Sequence, residues 1–123
     1  MDALLETDDD AELEPWRGAS GASYPYTVMQ IGLELNIAYG NYIFARRNEA
    51  GAWVAVFVGH GELSSHTDLN LHRLRNFILG RGATHVHIHE NSSLKDRMIE
   101  RADILFGHPE AYAPSGCNTA LSA

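Results

Sequence analysis

The chain is short of cysteine, of long apolar runs and, over its first fourteen residues, of any basic side chain. A single cysteine, Cys117, leaves no internal disulfide framework and no structural zinc site built mainly on thiolates. Nothing approaches the roughly 18 consecutive apolar residues that a membrane-crossing helix needs, so no membrane partner is expected. The opening Met1-Asp2-Ala3-Leu4-Leu5-Glu6 is acidic, where a secretory signal is basic and then apolar, so a cytoplasmic location is the expectation. A glycine-rich phosphate loop is also missing, because Gly80-Arg81-Gly82 lacks the strand before it and the helix after it. No internal repeat is present.

What remains is a chain of 123 residues, 45% of them apolar, which suffices for one core and one domain. The net charge of −7 is unevenly spread. Residues 1–14 hold seven acids (Asp2, Glu6, Asp8, Asp9, Asp10, Glu12, Glu14), and the rest of the chain holds nine acids against nine bases. Like charges repel, and the small residues Gly18-Ala19-Ser20-Gly21-Ala22 bury too little surface to offset ordering entropy. Residues 1–22 are therefore expected to form an acidic, disordered arm, with residues 23–123 as a single domain. Leu4, Leu5, Leu13 and Trp16 in that arm would suit a short docking motif for a protein partner.

Tyr26 to Ile31 has strand character. Asn41 to Arg46 and Trp53 to Val58 read as two strands of β-branched and aromatic residues joined by Asn48-Glu49-Ala50-Gly51, hence a hairpin broken at Gly59 and Gly61. Ser65 is the expected cap of a helix whose buried face carries Leu71, Leu74 and Ile78 and which ends at Gly80 or Gly82. Thr84 to His89 alternates, with Val86 and Ile88 on one face and His85, His87 and His89 on a half-exposed other. A last helix, capped by Ser92 or Ser93, is expected to bury Leu94, Met98, Ile99, Ala102 and Leu105. The expected fold is α+β, a small antiparallel or mixed sheet built on the hairpin and flanked by helices.

Gly40-Asn41-Tyr42 on the first hairpin strand, Phe57-Val58-Gly59 on the second, Glu100 on the last helix and Asn118 in the closing segment fall in the order and spacing of a known pattern. Over roughly residues 40–118 the chain resembles the GIY-YIG nuclease superfamily. The resemblance implies phosphodiester hydrolysis in nucleic acid, with DNA the expected partner, assisted by a single Mg²⁺ or Mn²⁺. Glu100 would hold the metal, since a carboxylate suits a hard cation, and the ion would activate a bound water. Tyr42 would act as base or position that water, and Asn118 would organise the closing segment. Two positions depart from the pattern. Phe57 stands where the family has its second tyrosine, and His66 stands at or near the place of the family arginine. His60 and His66 would then take over part of the proton or charge chemistry. Arg73, two helical turns beyond His66, would be about 10 Å away, too far to substitute.

Other readings remain. The domain would be a nuclease-fold module that no longer cleaves and binds nucleic acid or a protein, as Phe57 and His66 suggest. A pair from His85, His87 and His89 with His60 or His66 would bind Zn²⁺, although one strand spaces neighbours among the three ~6.8 Å apart, so that all three cannot reach one ion. Cys117 has no histidine–aspartate arrangement fixed beside it and makes a poor nucleophile. The acidic arm would shield a phosphate groove.

Overall fold

A computed structural model describes residues 12–119. Its elements are β1 (Leu13–Arg17), β2 (Ser23–Gln30), β3 (Tyr39–Arg47), β4 (Trp53–Glu62), α1 (Leu63–His66), α2 (Arg75–Gly80), β5 (His85–Glu90) and α3 (Leu94–Gly107), then a 3-10 turn at Pro109–Ala111. The strands form one sheet in the order β1-β2-β5-β3-β4, each neighbouring pair antiparallel. The fold is α+β, and among the described residues no helix is long and apolar enough to cross a membrane.

The β3–β4 hairpin forms where its β-branched and aromatic runs place it. In its loop, the Asn48 side chain accepts the backbone N–H groups of Ala50 and Ala52 and so closes the turn. Tyr42, Phe44, Phe57 and Val86 cover one face of the sheet and pack beneath Leu63, Leu69 and Ile78. Ile43, Ala45, Ala55 and Val58 lie on the other face with Trp16 and Tyr26, beneath Ile104 and Leu105 of α3. A bulge at Phe44/Ala45 changes the pairing register with β4 midway along the hairpin.

Several expectations are corrected. The glycines do not break β4, which runs on to Glu62. Gly59 is there because any Cβ would lie 2.5 Å from the Tyr42 phenol, and Gly61, at φ +149, because a Cβ would lie 2.7 Å from the His66 ring. The expected arm is not free throughout. Residues 13–17 form β1, paired from Leu13↔Thr27 to Arg17↔Ser23, and the domain begins before residue 23. The cause is distant in sequence. Trp16 is buried and donates from Nε1 to His87 Nδ1 at 2.9 Å, while Asp103 of α3 accepts from Ser20 N–H, Ser20 hydroxyl and Tyr24 hydroxyl. Residues 1–11, with most of the acidic block and its proposed docking and shielding roles, lie outside the described residues.

The single helix expected from Ser65 is instead two short ones. Glu62, not Ser65, caps α1, its carboxylate accepting both the backbone N–H and the hydroxyl of Ser64 and of Ser65. Asp68 then accepts Asn70 N–H and His72 Nδ1 accepts Leu74 N–H, local bonds that compete with helix continuation. Leu71 is consequently 70% exposed, whereas Ile78 is fully buried. On β5 His85 and His89 are half-exposed as expected, but His87 between them is wholly buried. Helix α3 buries Leu105 of its expected apolar stripe but is turned away from the stripe's first half. It buries Arg97, Glu100, Ile104 and Leu105 and leaves Leu94, Met98 and Ile99 more than half exposed.

His87 lies between two indoles. It accepts from Trp16 on Nδ1, so its proton is on Nε2, and its ring meets Trp53 edge to face at a centroid distance of 4.5 Å. The Nε2–H has no oxygen or nitrogen partner, and the Trp53 π face is the neighbour able to receive it. Burial, reinforced by His85 and Arg47, lowers the His87 pKa from 6.5 to about 4. A histidine neutral in the fold and protonated when unfolded stabilises fully above pH ~6.5 and loses that contribution as pH falls through the folded pKa. At ~1.36 kcal/mol per pKa unit, the loss is about 3 kcal/mol. Denaturant unfolding at pH 7 and pH 4 should show this decline, and His87→Phe should flatten it; an equal slope in the variant would contradict the assignment.

Candidate functional site

A cleft of about 720 Å³ opens where β3, β4, α1, the turn before α2 and α3 meet. Strands β3 and β4 contribute Tyr42, Phe57, Gly59 and His60, and α1 contributes Ser65 and His66. Leu71, His72 and Arg73 come from the turn, and Met98 and Arg101 from α3. Three of the expected residues, Tyr42, His60 and His66, are thus brought together. The register Tyr42↔Gly59 sets the phenol directly against β4.

Hydrogen bonds fix the proton positions of two histidines in the cleft. His72 Nδ1 accepts the Leu74 N–H at 3.1 Å, which leaves the proton of the neutral ring on Nε2, 3.4 Å from the Tyr42 hydroxyl. Tyr42 Oη therefore accepts from His72, and its own proton is free for the cleft. Burial pushes the Tyr42 pKa well up against the opposing charges of Arg101 and Arg73, so the group is a phenol and a donor at neutral pH, not a standing base. His60 Nδ1 accepts from Arg97 Nε at 3.4 Å, so its proton also lies on Nε2. Burial, then the charges of Arg101, Arg97 and His66, lower the His60 pKa; burial, Arg73 and His66 do the same for His72. His66 is exposed, and no described residue bonds either of its ring nitrogens. Its ring centroid lies 6.2 Å from that of Tyr42.

Glu100 is elsewhere. Its carboxylate is 3% exposed beneath α3, where it accepts from the Tyr26 hydroxyl at 2.5 Å and faces His89 Nδ1 at 2.9 and 3.1 Å. Burial and the adjacent carboxylate hold the Tyr26 hydroxyl protonated by raising its pKa far above the ordinary value. Among the described residues no carboxylate lines the cleft. Imidazole, phenol, hydroxyl and guanidinium are not the ligand set of a hard divalent cation, and Glu100 as held here does not supply the missing oxygen. The expected Mg²⁺ or Mn²⁺ thus has no fitting residues around the cleft, and no step is derived through it. Among the described residues no group of three or more His, Cys, Asp or Glu side chains is placed to hold a metal ion. His85 and His87 pack against Trp53 instead.

Asn118 is brought near the hairpin but not into the cleft. Buried completely, it accepts Val58 N–H on Oδ1 at 2.8 Å and donates from Nδ2 to Val58 C=O at 3.0 Å. With Cys117 N–H bonding Val56 C=O, this pairs the open edge of β4. Its role is to fix the closing segment against the hairpin.

Three cleft residues were not anticipated: His72, Arg73 and Arg101. Arg73 reaches the cleft because the chain folds back after α1 instead of continuing as a helix. Arg101 reaches it because Glu100, one residue earlier, is claimed from beneath by Tyr26 and His89. The polar residues spaced along α3 at Arg97, Glu100 and Arg101 were the available signal, since they share its core-facing side. Comparison with protein-family models, with curated proteins and with solved structures finds no match to this chain.

Asn118→Ala would leave a buried N–H and C=O of Val58 unpaired, a loss of about 2–3 kcal/mol of unfolding free energy. Chemical denaturation would measure it. A change below about 0.5 kcal/mol would show that the edge of β4 is held by something else.

Proposed function

We propose that the cleft binds a phosphodiester and that the domain acts on nucleic acid as a divergent member of the GIY-YIG nuclease superfamily. One observation carries the first part. Tyr42 offers its hydroxyl proton, His60 its Nε2–H, and Arg73 and Arg101 their guanidinium forks, while among the described residues no lining side chain is a carboxylate. Phosphate oxygens are acceptors only, so a cleft of donors with two positive charges is their chemical complement. Arginine suits this better than histidine because its planar fork meets two oxygens at once. Arg101 and Arg73 take the cationic place that His66 leaves vacant in the family pattern. Exposed Leu71 and Met98 on the rim suit the apolar faces of sugar and base.

The superfamily reading is supported by the order of elements about the cleft: hairpin, helices, strand β5 paired to the first hairpin strand, then α3. Tyr42 stands beside the Phe57-Val58-Gly59 strand within that order. Cleavage assisted by Mg²⁺ or Mn²⁺ is the activity the resemblance implies, and DNA the partner it favours. A binding module without turnover is the second reading, favoured by the sequestered Glu100 carboxylate and the hydroxyl missing at Phe57.

Fluorescence anisotropy with labelled single-stranded and duplex oligonucleotides tests the binding claim. The account expects affinity to fall with salt, and Arg101→Ala and Arg73→Ala each to weaken binding roughly tenfold and flatten the salt slope by about one counterion. Folded variants that bind as well as the wild type, or a wild type that binds no nucleic acid, would remove the proposal.

A further inference from the structure

The cleft holds two proton-transfer groups, His66 and Tyr42, beside the space a phosphate would fill. Resting on the phosphodiester reading, we propose that it cleaves RNA by attack of the ribose 2′-hydroxyl on the adjacent phosphorus, with His66 as general base and Tyr42 as general acid. The geometry assigns the roles. His66 is the exposed imidazole whose two nitrogens bond no described residue, and its position is limited by the close approach of Gly61. Tyr42 lies beside it, ring centroids 6.2 Å apart, its proton turned away from His72 because His72 donates to its oxygen.

The step balances within these groups. His66 takes the proton of the 2′-hydroxyl, and the O2′–P bond forms. The P–O5′ bond breaks with its electron pair on O5′, which takes the Tyr42 proton. The products are a 2′,3′-cyclic phosphate and a 5′-hydroxyl. The Tyr42 phenolate left behind faces the His72 N–H and the charges of Arg101 and Arg73, of which the two arginines counter the effect of burial on its acidity. The proton on His66 then returns to Tyr42 through solvent. His60, with its proton on Nε2, donates to a non-bridging oxygen as the charge there grows.

Ribose is required by this scheme for a chemical reason. An intramolecular hydroxyl is already held beside phosphorus, so the protein need supply only base, acid and positive charge. Deoxyribose lacks that nucleophile, and a DNA strand in the same cleft would bind without being cut.

The test uses the full chain, in EDTA, with a labelled DNA oligonucleotide carrying one ribose and its all-deoxy twin, binding to both being measured by anisotropy. Expected is cleavage at the ribose alone, ending in a 2′,3′-cyclic phosphate. His66→Asn and Tyr42→Phe, purified identically, should each lower the rate at saturating protein by roughly 10²-fold or more. The rise of rate with pH that reports the base should vanish in His66→Asn. Rates unchanged in both folded variants would reveal a contaminating ribonuclease and overturn the inference. Cutting of the all-deoxy strand, or cutting only with Mg²⁺ or Mn²⁺, would overturn it and leave the phosphodiester site standing. Binding without any cleavage would do the same in favour of the binding module, whereas no binding to either strand would fell the underlying reading as well.

Discussion

The rotation of α3 about its own axis is set by one buried carboxylate. Glu100 lies beneath the helix with the Tyr26 hydroxyl and His89 Nδ1 as partners, one on β2 and the other on β5. Taking a carboxylate out of water without partners costs several kcal/mol, so the helix settles where both strands reach it. From that orientation the rest of the helix follows. Ile104 and Leu105 enter the core, Arg97 stacks over the Tyr39 ring and bonds Asn91 C=O, and Arg101 and Met98 face the cleft. Asn41 donates to the Arg97 carbonyl from the first hairpin strand, which ties the same turn of the helix to β3.

The cleft owes its character to that rotation. Had Glu100 faced it, the lining would combine a carboxylate with imidazoles and a phenol, a set able to receive a cation. With Arg101 there, the lining donates hydrogen bonds and carries positive charge, a set suited to an anion. The described residues remain near charge balance overall, so any attraction for a polyanion is local to this cleft and to the guanidinium groups around it. The two indoles about His87 hold the other end of the sheet by a comparable device, a buried polar group whose partners come from distant strands.

Local signals made much of this fold legible in the sequence. The hairpin, its Asn48-to-Gly51 turn, strand β5 and the extent of α3 follow from β-branched runs, turn chemistry, strict alternation and helix caps, which act within a few residues. Tyr42, His60 and His66, singled out through the resemblance, do meet at one cleft, because the hairpin and the short helix that follows it bring them together. What could not be read depends on pairs far apart in sequence. The segment at Trp16 reads as part of a polar arm until His87 is seen to receive its N–H, 71 positions away. The first half of the apolar stripe of α3 points outward because Tyr26, 74 positions earlier, claims the polar side. The break after α1 was hidden for a different reason: side chains of Asp68 and His72 cap the backbone locally, while the apolar spacing Leu71, Leu74, Ile78 still imitates a helix.

The central claim is that the anion-binding centre is the cleft between Tyr42 and Arg101 and not the buried Glu100 beneath α3. Histidine side-chain NMR, read while a short oligonucleotide is added, tests it most directly, because the imidazoles are distributed between the two places. The account predicts shifts at His60, His66 and His72, with His85, His87 and His89 unmoved. Shifts centred on His89, with those three still, would place the ligand at Glu100 and contradict it.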